Sequence, residues 1–160
     1  MMHRLFWGLF FVLLDIDLTV GRATFDILPD FLGFFLLMKG MEAEASGTCR
    51  FQRSRHLAFG LFLLGAVCTG AGLLNLEPMT EVVFWGLESL CLVGFLWILR
   101  EITAHGSEQL KALRLIVGIV QVLGMIFGWL PLVGSICAAA ALVIGGVFLL
   151  AFWKEMKSAE

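Results

Sequence analysis

The chain has no tyrosine, only 3 prolines in 160 residues, and charges at only 15% of its positions. An ordinary soluble domain carries about a quarter of its residues as charges. With 60% of residues hydrophobic and a mean hydropathy of +0.96, a chain this short has too much apolar surface for a soluble core to hide. That excludes a conventional soluble enzyme and a disordered tail. Basic excess is lacking too: 11 Lys and Arg face 13 Asp and Glu, a net charge of −2. No field is present to attract nucleic acid. Cys49, Cys68, Cys91 and Cys137 form no C-x-x-C pair, which argues against a disulfide framework or a zinc site. No Ser-His-Asp set, H-E-x-x-H pair, G-x-S-x-G elbow or phosphate-cradling glycine loop occurs. Neither catalysis nor a cofactor is expected.

What the sequence has is long apolar runs. A membrane-spanning helix needs about 20 mostly apolar residues. Residues 57–74, 82–99, 110–130 and 132–153 meet this requirement, with Pro131 separating the last two. The first forty residues divide into Leu5 to Leu14 and Phe31 to Met38, separated by acids and by Pro29. Helices over 2–18 and 26–41, meeting in a hairpin around Thr19 to Thr24, account for them. One broken re-entrant element is the alternative. No small-x-small cleavage site follows the first run, so it is read as retained rather than as a signal peptide. The expected fold is all-α, a single domain of six transmembrane helices in three hairpins, with residues 42–56 as the longest link.

Charge placement orients this ladder. With both termini in the cytoplasm, ten of the eleven basic residues fall on the inner side and only Arg22 outside, as the positive-inside rule requires. Trp7, Trp97 and Trp153 then lie near inner ends, and Trp85 and Trp129 near outer ones. The lipid bilayer is the first expected partner. Gly124 and Gly128 form a G-x-x-x-G spacing, and Gly134 with Ala138 repeats the small-x-x-x-small pattern. Such faces let helices approach closely, here expected within the last hairpin, with homodimerisation as the lesser alternative.

The same orientation gathers Asp15, Asp17, Asp26, Asp30 and Glu88 into the outer half of the bilayer. Ionisable groups at that depth are costly and mark functional sites. Asp26 and Asp30, four apart, share a helix face if the helix has begun at Asp26, where the carboxylate would cap it. Asp15 and Asp17 are two apart, so both face the interior only if the first helix ends or unwinds near Asp17. Arg22 can neutralise one acid but not five. Crowded carboxylates hold protons or bind a cation, and oxygen-only ligands favour a hard cation or an organic amine. Asn75 and Gln121 complete the polar lining.

The stretch Phe25-Asp-Ile-Leu-Pro-Asp-Phe-Leu-Gly33, after a helix ending Leu14-Asp15-Ile16-Asp17, resembles a recurrent signature of small, uncharacterised bacterial multi-pass membrane proteins. The likeness covers about the first forty residues. It implies a bacterial plasma-membrane location and no catalytic activity. Two functions follow as expectations. One is binding and transport of a cation or small amine at the acidic pocket; the other is a non-catalytic subunit assembling with a larger membrane-protein partner.

Overall fold

Apolar runs of this length leave the backbone little choice, since a helix satisfies its own N–H and C=O groups without water. The computed structural model describes residues 2–14, 17–20, 23–26, 30–45, 51–73, 81–127 and 130–159. Among them are six helices: α1 (Met2–Leu13), α2 (Asp30–Ala45), α3 (Gln52–Leu73), α4 (Glu81–Thr103), α5 (Glu108–Phe127) and α6 (Pro131–Ala159). Local signals fix several ends. Ser107 caps α5, its Oγ accepting from the Leu110 N–H at 3.3 Å. Pro131 opens α6 where a missing N–H costs nothing. Lys157 in the last turn of α6 complements the negative end of the helix dipole.

The all-α class and the six-helix count both stand, with one local departure. Between α1 and α2 runs an antiparallel ribbon, β1 (Asp17–Val20) and β2 (Ala23–Asp26), with Asp17 opposite Asp26 and Thr19 opposite Thr24. The first helix therefore stops at Leu13 rather than residue 18, and the second starts at Asp30 rather than 26. Two alternating stretches, Asp-Leu-Thr-Val and Ala-Thr-Phe-Asp, carry the period of a strand. Pro29 also disfavours helical backbone in the residue before it. Elsewhere the helices outrun expectation: α2 continues to Ala45, α3 starts at Gln52, α4 ends at Thr103, and α6 continues to Ala159.

Neighbouring helices run antiparallel. Against α1, Gly33 meets Val12, Leu37 meets Gly8, and Gly40 meets Leu5. Against α2, Phe62 of α3 meets Phe35 and Arg55 meets Glu42. Leu61 of α3 packs on Gly94 of α4, and Leu96 of α4 on Gly118 of α5. Between α5 and α6, Gly124 lies by Cys137, and Ser107 binds Glu155. Leu13 on Gly145 and Phe6 on Trp153 close the ring between α1 and α6. The starts of α1, α3 and α5 and the ends of α2, α4 and α6 thus share one end of the bundle. Arg4, Lys39, Arg53, Arg55, Arg100, Lys111, Arg114, Lys154 and Lys157 all lie there.

Packing is concentrated in that half. Leu5, Leu9, Phe34, Leu37, Met41, Ala58, Phe95, Ile98, Leu99, Phe148 and Leu149 form its buried core. Phe34 and Phe95 meet at 6.4 Å between ring centroids. The closest helix pair is α1 with α2. A Cβ on Gly8 would stand 2.8 Å from the Leu37 backbone nitrogen, and one on Gly33 2.5 Å from Val12 Cγ2. Only glycine permits that approach.

The other half differs. In α4 before Gly94, in α5 after Val117 and in α6 before Gly145, no described residue is buried. Large apolar side chains face outward there, including Val93, Leu132 (76% exposed) and Val143 (67%). Among the described residues, two helices are long and apolar enough to cross a membrane, Glu108–Phe127 and Pro131–Ser158, with mean hydropathies of 2.0 and 2.5.

Candidate functional site

The carboxylates singled out by sequence separate from the basic end. Asp30 opens α2 and is half-buried, with its Oδ1 removed from solvent. It stands one turn before Phe34. Glu88 lies two turns before Phe95 on the same stripe of α4, since seven residues make nearly two whole turns. That stripe faces the core at Phe95, which is 1% exposed, yet Glu88 is exposed. Both acids therefore lie beyond the Phe34–Phe95 contact, on the side of the bundle where packing opens.

Asp17 and Asp26 belong to the ribbon, not to helices. The expectations that Asp26 caps the second helix and shares its face with Asp30 are corrected accordingly: Asp26 closes β2, and Asp30 is the first helical residue. The register makes Asp17 and Asp26 direct cross-strand partners. β2 runs beside α3. Asp15, Arg22 and Asn75 lie outside the described residues, as does Gly128 of the expected packing face.

Gln121 is half-buried on α5, between Gly118, which meets Leu96, and Met125, whose sulfur accepts from Ser89 Oγ at 3.6 Å. It lies on the α4–α5 seam. Of the small residues expected to pack the last hairpin, Gly124 is in van der Waals contact with Cys137 at 3.7 Å, Gly134 is half-buried and Ala138 is exposed. Hydroxyls in these apolar helices turn back on their own backbone. Ser89 donates to the Trp85 carbonyl and Ser135 to the Pro131 carbonyl, each at 2.7 Å. Among the described residues no three His, Cys, Asp or Glu side chains converge to hold a metal ion.

At the opposite end several charges are paired within the chain. Glu42 accepts from Lys39 at 2.8 Å and faces Arg55 at 3.4 Å, joining α2 to α3. Lys39, then Arg55, hold its carboxyl below the usual glutamate range. Lys111 does the same for Glu108 from 2.8 Å. Arg114 donates to Thr103 Oγ1 at 3.1 Å, and Thr103 in turn donates to the Leu99 carbonyl. Glu155 accepts from the Ser107 N–H at 2.6 Å and from its Oγ at 2.8 Å, fixing the α4–α5 turn to α6. Sequence reasoning missed this clamp, because nothing local links residues 48 apart. It also missed the Gly8–Gly33–Gly40 seam, although Gly33 and Gly40 are seven apart and so share one face of α2.

No protein-family model matches the chain, and no curated protein or solved structure is detectably similar to it. Function therefore has to be argued from the geometry.

Proposed function

We propose that the chain is a six-span protein of the bacterial plasma membrane that binds a cation or cationic small solute in its outer half, in the service of transport. Both termini lie in the cytoplasm, so the basic end faces inward. The observation that carries the proposal is the division of the bundle. Asp30 of α2 and Glu88 of α4 lie in the half where packing is open, while the cations gather at the far end. Exposed Val67, Val93, Leu115, Leu132, Val143 and Leu150 give this fold a lipid-facing perimeter, far larger than the patches a soluble monomer shows.

α1 supports the same reading. Its twelve residues rise about 18 Å, short of the roughly 30 Å hydrocarbon layer. The ribbon completes the crossing; non-helical backbone is tolerated at depth where protein covers it or where it lines a wet cavity. The register pairs Asp17 with Asp26 across the ribbon, and like charges at directly opposed positions are unfavourable. Capture then falls to Asp15, Asp30 and Glu88, with Asp17 and Asp26 shaping the entrance, Arg22 tempering its charge and Asn75 and Gln121 adding neutral oxygens.

Purified protein in sealed vesicles tests this, with sodium, potassium, magnesium and methylammonium as probes. Wild type should carry at least one of these, and Asp30→Asn should abolish that flux while leaving the melting temperature in detergent unchanged. A wild type inert to all four that co-purifies in fixed stoichiometry with another membrane protein would replace transport with the subunit function.

A further inference from the structure

We infer that the seam between α1 and α6 at the basic end is a binding site for an anionic phospholipid. Four of the nine cations described at this end are engaged by side-chain oxygens, Lys39 and Arg55 with Glu42, Lys111 with Glu108 and Arg114 with Thr103, and Arg100 stands 5.8 Å over the Trp97 ring. The seam differs in setting two exposed lysines beside a cluster of aromatic rings. Lys154 and Lys157 are exposed on α6, and among the described residues neither pairs with a carboxylate. Glu155, the acid between them in sequence, is turned away to Ser107. A concentrated positive charge is left where α6 emerges from its apolar stretch.

Below that charge lies an aromatic wall. Lys157 Nζ stands 5.3 Å over the Trp153 ring, and Trp153 packs on Phe6 at 4.8 Å and on His3 at 5.9 Å. Trp7 donates from its indole nitrogen to His3 Nε2 at 2.9 Å and crosses Phe10 edge-on at 5.2 Å. Trp7 is itself exposed. Indoles settle at the headgroup level, and lysines beside them attract anionic lipids. Leu150, 71% exposed and one turn below Lys154, continues the seam as an apolar track for an acyl chain. Headgroup phosphate on the lysines, glycerol at the indoles and chain along Leu150 match these three zones in order.

The inference rests on the membrane reading but not on the acidic site. Full-length protein would be incorporated into nanodiscs of mixed phosphatidylglycerol and phosphatidylcholine, and the lipid retained after detergent extraction counted by native mass spectrometry. Wild type should retain phosphatidylglycerol preferentially. Lys154→Gln with Lys157→Gln should reduce that retention at least fivefold, Lys157→Arg should preserve it, and Arg53→Gln with Arg100→Gln, removing equal charge elsewhere, should leave it within twofold. Equal loss in both double variants, no headgroup preference, or displacement by millimolar inorganic phosphate would overturn the lipid site. None of these touches cation flux, and failure of the chain to incorporate into any bilayer would sink the membrane reading itself.

Discussion

The two halves of the bundle are made from the same apolar alphabet yet end in different states. At the basic end, Phe34, Phe95, Ile98, Leu99 and Phe148 are all but sealed from solvent, and glycines bring α1 and α2 together until no Cβ would fit. Beyond Gly94, Val117 and Gly145 the same helices continue with no buried described residue. Hydropathy does not separate the halves; the length of α1 does. It stops at Leu13, level with Gly145, and α6 continues beyond that point. Among the described residues the bundle is packed at the basic end and sparsely packed beyond, where Asp30 and Glu88 stand.

Substitutions sharpen that contrast, starting with the largest effect. Phe95→Ala should cost about 3 kcal/mol or more, as a fully enclosed ring leaves a cavity. Leu90→Ala, on the exposed face of the same helix, should change stability by about 0.5 kcal/mol or less. Thermal unfolding in detergent reads both, and equal losses would erase the distinction between the halves.

Gly8→Ala comes next, at about 2–3 kcal/mol, since the added carbon meets the Leu37 and Gly33 backbones as well as the Leu37 side chain. Gly86→Ala, with nothing within 4 Å, should be neutral or stabilise by up to about 1 kcal/mol. Glu155→Gln weakens the clamp on Ser107, an exposed pair, and should cost about 1 kcal/mol or less. Faster hydrogen exchange confined to the α4–α5 turn would check it.

The smallest effect is pH-dependent. Lys39 and Arg55 hold the Glu42 carboxyl below its ordinary value of 4.5. The stabilisation is therefore complete above that value and fades as pH falls through the lowered one. Glu42→Gln should lower the melting temperature slightly near neutrality and not at all once acid has protonated Glu42. A difference that persists in acid would show that Glu42 acts through packing.

Much of this was legible in the sequence. Six apolar segments and the march of basic residues to one end follow from runs of about 20 residues and from charge asymmetry alone. The ribbon was missed for a physical reason. Four-residue strands are too short for their period to stand out beside long apolar helices, and Gly21, with alternating residues on either side, was the available signal. The mistaken cap at Asp26 has the same origin: with β2 unseen, the helix seemed to begin four residues early. The site was legible as composition and not as shape, because whether Glu88 meets packed helix or open space is set by helices distant in sequence and not by its own neighbours along α4.

The central claim is that the acidic half is open to water from the outer side. A membrane-impermeant maleimide applied to intact cells tests it directly, on a cysteine-free background carrying Glu88→Cys. The account predicts rapid modification, slowed by the cation the protein carries, with Thr103→Cys at the packed end unreactive. Modification of Glu88→Cys only after the cytoplasmic face is opened, or no modification from either side, would contradict it.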